Sequence, residues 1–87
     1  MRTKDLKLSL PNGLHMRVAA RLVLQSKKIK SKVIICKDGN TAELNSILQL
    51  MILGAERGSE IKIIVEGEDE SSAITEVCDI LTDGAGI

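Results

Sequence analysis

No phenylalanine, tyrosine or tryptophan occurs among the 87 residues. Any core must therefore be built from Ile, Leu, Val and Ala, and the protein is nearly invisible at 280 nm. The missing aromatics also remove the stacking surfaces on which single-stranded nucleic acids are bound. Charge of one sign is missing too: twelve basic and twelve acidic residues cancel. A neutral chain lacks the basic footprint of a nucleic-acid binder. The two cysteines, Cys36 and Cys78, lie far apart and form no CxxC pair, so both are expected as reduced thiols, Cys78 within a helix. No apolar run approaches the roughly 20 residues that span a bilayer, and no signal-peptide core follows Met1. A soluble cytoplasmic protein is expected, without membrane insertion. No metal-ligand cluster and no P-loop occur.

What is present is patterning. At 87 residues the chain is expected to be a single domain, 1–87. It should bury roughly 60–65% of its unfolded surface, enough for a modest core without staples. "TKDLKLSL" alternates, with Leu6, Leu8 and Leu10 on one face, and ends at Pro11-Asn12-Gly13; it is expected to be a half-buried strand. From Met16 to about Lys27, apolar residues recur at 16, 19, 20 and 23, with Val18, Leu22 and Leu24 widening the stripe. Lys27 and Lys28 suit the last turn of that helix. Residues 32–44 read as a hairpin around Asp38-Gly39.

"SILQLMIL" is too apolar for its period to decide, but Asn45-Ser46 before it and Gly54 after it favour a short helix. "EIKIIVEG" alternates around Ile61, Ile63 and Val65. Asp69 then offers an N-cap, and Glu70 a first-turn acid, to a last helix burying Ala73, Ile74, Val77, Ile80 and Leu81. The closing Gly-x-Gly of "DGAGI" has no strand before it and no helix after it, so it carries no phosphate-binding weight. The order is β-α-β-β-α-β-α. The fold class is α+β: a two-layer open-faced sandwich with a four-stranded antiparallel sheet and three helices on one face.

The only histidine, His15, stands at the start of the first helix. The first N–H groups of a helix have no internal partner, and the dipole's positive end favours an anion. Arg17, two residues on, adds a planar donor fork suited to phosphate oxygens. An imidazole at that point can act as a nucleophile and can hold a dianionic group attached to its nitrogen. A capping or surface histidine is the bland alternative. No second histidine and no obviously paired carboxylate complete a free-standing enzyme.

"GLHMRVAARLV" resembles the Gly-Leu-His-x-Arg-Pro-Ala-Ala motif of the HPr family, the phosphocarriers of the bacterial phosphoenolpyruvate:sugar phosphotransferase system. "NSILQLMILGAERGSEIKIIVEGEDESSA" is similar to the family's second signature, and the resemblance covers essentially the whole chain. It implies that His15 takes a phosphoryl group through Nδ1 from phosphorylated Enzyme I and passes it to sugar-specific IIA domains. Arg17 and the N–H groups of Met16 and Arg17 would hold that group. No separate cofactor is implied, because the side chain itself is the carrier.

The resemblance further implies regulatory phosphorylation at Ser46 by an HPr kinase/phosphorylase, linked to a catabolite-control transcription factor. A partner-docking patch would comprise Met16, Ala20, Leu24, Ile47, Leu48 and Met51, rimmed by Arg21, Lys27 and Lys28. Read without the resemblance, Ser46 is a good N-cap, and a Met/Leu stripe is more often core. A monomer is expected. The chain departs from the family at Val18, where proline is usual, at Met16, where a small residue is usual, and at Asn45, often lysine. These departures leave open a regulatory or non-carrier binding module, for example in a nitrogen-related branch.

Overall fold

The computed structural model describes residues 1–84. Ala85 and Gly86 of the terminal Gly-x-Gly lie outside the described residues. Its elements are β1 (Arg2–Lys7), α1 (Met16–Ser26), β2 (Lys32–Lys37), β3 (Asn40–Glu43), α2 (Ile47–Leu53), β4 (Glu60–Glu66) and α3 (Glu70–Asp83). The strands form one sheet in the order β1-β4-β2-β3. Every pair is antiparallel.

Register shows why only one face is covered. Val33 stands opposite Val65, and Ile35 opposite both Ile63 and Ala42; all five are buried, as is Ile61. The alternate positions carry Lys32 against Glu66, Cys36 against Lys62 and Ile34 against Ile64, and that face stays open. Helices α1, α2 and α3 supply the other side of the core with Val18, Ala19, Leu22, Leu50, Leu53, Ala73, Val77, Ile80 and Leu81. Ile74 is only partly buried against that core. No helix among the described residues is long and apolar enough to cross a membrane. Cys36 and Cys78 are free thiols, both half-buried, and burial pushes the Cys78 thiol up.

Several boundaries differ from the sequence reading. β1 begins at Arg2 and stops at Lys7, because β4 offers partners only from Val65 back to Glu60. The expected alternation survives the end of the strand: Leu8 and Leu10 are buried although neither belongs to it. Leu8 is held instead by the loop before β4, donating its N–H to the Ser59 carbonyl (2.8 Å) and accepting from Gly58 (2.7 Å). Lys27 and Lys28 fall just past α1, Lys27 as its C-cap.

In α1 the buried line is Val18, Ala19, Leu22 and Gln25; Met16 and Leu24 point away from the core. The Gln25 amide accepts from Arg21 (3.0 Å) and donates to Glu76 of α3 (2.8 Å), which satisfies a polar group in a core position.

Asp69 precedes α3 as expected, yet its side chain makes no capping bond to that helix. The carboxylate turns to the loop between α1 and β2. It accepts from the N–H of Lys30 (2.9 Å), the N–H of Ser31 (2.9 Å) and the Ser31 hydroxyl. These donors hold its pKa below the ordinary value, the Lys30 N–H first and then the Ser31 hydroxyl, with burial opposing.

Candidate functional site

The loop after β1 folds back on itself before α1 starts. Gly13 donates its N–H to the Leu10 carbonyl (2.9 Å), and His15 donates to the Gly13 carbonyl (3.1 Å). Gly13 sits at φ +62°, in the left-handed region where only glycine is unstrained. It also lies against the segment after α2. A Cβ at Gly13 would stand 2.6 Å from the Ala55 carbonyl oxygen, 2.8 Å from the Glu56 Cα and 2.9 Å from the Arg57 nitrogen. The next residue, Leu14, is buried and donates its N–H to that same Ala55 carbonyl (2.8 Å). The turn that delivers His15 is thus docked backbone to backbone.

His15 is the N-cap of α1, as its place in the sequence predicts, with φ −93° and ψ 177°. Its carbonyl accepts from Ala19 (2.9 Å), and its Nδ1 accepts from the Arg17 N–H (3.3 Å). An accepting Nδ1 carries a lone pair, so the neutral ring bears its proton on Nε2. That lone pair therefore faces the helix N-terminus. The N–H groups of Met16 and Val18, on either side of Arg17, have no acceptor among the described residues. The Arg17 side chain is exposed, and every charged residue between positions 6 and 37 is basic. An accepting ring nitrogen and two free backbone donors thus stand together at the start of α1, beside a half-buried imidazole.

The exposed apolar residues are as localised. Met16 (64% exposed), Leu24 (56%), Ile47 (40%), Leu48 (67%), Met51 (37%) and Ile52 (74%) lie on α1 or α2, two helices packed side by side. Met1 is the sole exposed large apolar residue elsewhere among the described residues. Ala20 is half-buried, one turn from Met16 and one from Leu24. Monomer surfaces rarely gather apolar groups in this way without a partner. Ile52 belongs with the patch but is absent from the sequence-based set. It stands four residues after Leu48, so helical spacing was a usable signal. Arg21 is less free than a rim residue should be, because its guanidinium is tied to Gln25; Lys27 and Lys28 are exposed.

Ser46 is the N-cap of α2, its hydroxyl accepting from the Gln49 N–H (3.2 Å). The local capping role anticipated from sequence is therefore present. Its side chain is half-buried, leaving part of the residue exposed to solvent.

The chain is similar to known proteins over most of its length. The family profile described as the PTS HPr component phosphorylation site matches residues 2–83. The phosphocarrier protein HPr of Buchnera aphidicola subsp. Baizongia pistaciae is 39% identical over 79 residues, covering 91% of this chain and 93% of the relative. The crystal structure of HPr from Bacillus anthracis str. Ames superposes with a TM-score of 0.88 at 33% identity, covering 93% of this chain and 96% of that one. Crh, a catabolite repression protein of Bacillus subtilis described as a domain-swapped dimer, superposes with a TM-score of 0.74 at 32% identity, with 93% of each chain covered. The chain belongs to the HPr family of phosphocarrier proteins of the phosphotransferase system.

Proposed function

We propose that His15 Nδ1 is the atom that takes up and gives up the phosphoryl group. The observation that carries this reading is the Arg17 N–H directed at Nδ1. The lone pair of Nδ1 forms the new N–P bond as the donor's bond to phosphorus breaks, and the donor atom keeps that electron pair. Nδ1 then has no lone pair left to accept from Arg17. That N–H turns to a phosphoryl oxygen, beside the unpartnered N–H groups of Met16 and Val18 and the Arg17 guanidinium. A helix N-terminus contributes about 0.3–1 kcal/mol to an exposed anion and ~2 kcal/mol in a favourable site. That is enough to position and tune a phosphoryl group that must leave again.

The donor is phosphorylated Enzyme I and the acceptors are IIA domains of sugar permeases, in the cytoplasm. The chain acts as a monomer and docks both partners through Met16, Ala20, Leu24, Ile47, Leu48, Met51 and the neighbouring Ile52. Ser46 is the regulatory site for an HPr kinase/phosphorylase and links the carrier to a catabolite-control transcription factor. A phosphate there would place negative charge on the docking helix α2.

The test mixes the chain with phosphoenolpyruvate and a cognate general Enzyme I and weighs the intact protein. One acid-labile, base-stable phosphate is expected, absent in His15→Ala. ATP and an HPr kinase should add an acid-stable phosphate that Ser46→Ala abolishes. If Enzyme I transfers nothing, the chain is a binding module and the carrier reading falls.

A further inference from the structure

Both ends of the loop that carries His15 hang on one short turn, residues 55–59. At the β1 end, Leu8 accepts from the Gly58 N–H (2.7 Å) and donates to the Ser59 carbonyl (2.8 Å). At the α1 end, Leu14 donates to the Ala55 carbonyl (2.8 Å), and Gly13 lies against the backbone of 55–57 with no room for a Cβ. The turn is closed on itself by a reciprocal pair: Ser59 donates its N–H to the Glu56 carbonyl (3.0 Å), and the Ser59 hydroxyl accepts from the Glu56 N–H (3.0 Å). That hydroxyl is the one side chain among the described residues that bonds within the turn.

We propose that Ser59 is a positioning residue for phosphoryl transfer. Its hydroxyl sets the shape of the 55–59 turn, the turn fixes Gly13 and Leu14, and these direct His15 Nδ1 at the helix N-terminus. The proposal rests on His15 being the phosphoryl acceptor. Ser59 touches neither the phosphoryl group nor His15; it acts through the turn. Without the hydroxyl, the Glu56 N–H loses its acceptor and the loop gains freedom just where Gly13 must approach it. Misplacing a reacting group by about 1 Å costs on the order of a hundredfold in rate, so a partial loosening should cost about tenfold.

The experiment compares Ser59→Ala, Ser59→Thr and Val65→Ala in the full chain. Val65 is buried at the opposite end of β4, so its truncation lowers stability without touching the turn. For each variant, phosphoryl uptake from phospho-Enzyme I is resolved into kcat and KM, and the His15 imidazole resonances are recorded. Ser59→Ala is expected to lower kcat about tenfold with KM unchanged and to shift the imidazole resonances. Ser59→Thr, which keeps the hydroxyl, should restore both. Val65→Ala should lower the unfolding temperature and move neither readout. Wild-type kcat with unshifted resonances in Ser59→Ala would overturn the proposal, and so would Val65→Ala producing the same two changes. An unlabelled wild-type chain would count against the carrier reading itself, and the imidazole shift would still decide whether Ser59 sets the ring.

Discussion

Gly13→Ala is expected to slow phosphoryl uptake at His15 by about a hundredfold, because it moves the histidine and not the chemistry. Two costs combine at that position. A side chain at φ +62° costs roughly 1 kcal/mol of backbone strain. The new methyl would also meet the Ala55 oxygen at 2.6 Å and the backbone of Glu56 and Arg57 within 2.9 Å. Those are backbone atoms and cannot rotate aside. Overpacking of this kind costs about 1–3 kcal/mol, so the variant should lose about 2–4 kcal/mol in all. Relief comes by pushing residues 13–15 away from the 55–57 backbone, breaking the bond from Leu14 to Ala55. Urea unfolding followed by far-ultraviolet circular dichroism measures the first effect, since the chain has no aromatic reporter. Rapid-quench phosphorylation at a urea-free temperature where the variant is folded measures the second. A folded Gly13→Ala chain that is phosphorylated at the wild-type rate would show that the loop tolerates the displacement.

Asp69→Ala should lower stability well away from the site. Its carboxylate accepts two backbone N–H groups and a hydroxyl from the 30–31 segment, and all three lose their partner together. Gly67 packs against the same Ser31, leaving no space for a Cβ, so the turn before α3 and the loop before β2 are interlocked. One hydrogen bond's net contribution shifts the unfolding temperature of so small a domain by ~5 °C. The shift for Asp69→Ala should exceed that.

The pH dependence has a fixed sign. The folded carboxyl titrates below its ordinary value of 3.8, held there first by the Lys30 N–H and next by the Ser31 hydroxyl, against the opposing effect of burial. Between the folded and ordinary values the unfolded state binds more protons, so stability rises with pH. The contribution is complete above the ordinary value and is lost as pH falls through the folded one. Wild-type stability should therefore fall more steeply below pH 4 than that of Asp69→Ala. Parallel stability–pH curves for the two chains would contradict this role.

The element order was legible because each helix and strand carries its own period, and α2, where period failed, was rescued by Ser46 and Gly54 at its ends. What escaped the sequence depends on distant partners. The end of β1 is set by how far β4 extends, and Asp69 looks like a helix cap until the chain brings Ser31 beside it. On α1, apolar residues occupy both Met16–Ala20–Leu24 and Val18–Ala19–Leu22. Only packing against the sheet decides that the second line is core and the first is surface. His15 could be placed from its position before a helix, whereas its anchor through Leu14 to Ala55 is a contact between segments far apart in the chain.

Nδ1 of His15, aimed at the amide groups that open α1, is the proposed phosphoryl carrier. A long-range 1H–15N correlation spectrum of the 15N-histidine-labelled chain, recorded after phosphorylation with phosphoenolpyruvate and Enzyme I, tests it directly. With only one histidine in the chain, assignment is unambiguous. Phosphorus coupling on Nδ1 is the expected result. Phosphorus coupling on Nε2, or an unchanged imidazole in a chain that has gained phosphate elsewhere, would contradict it.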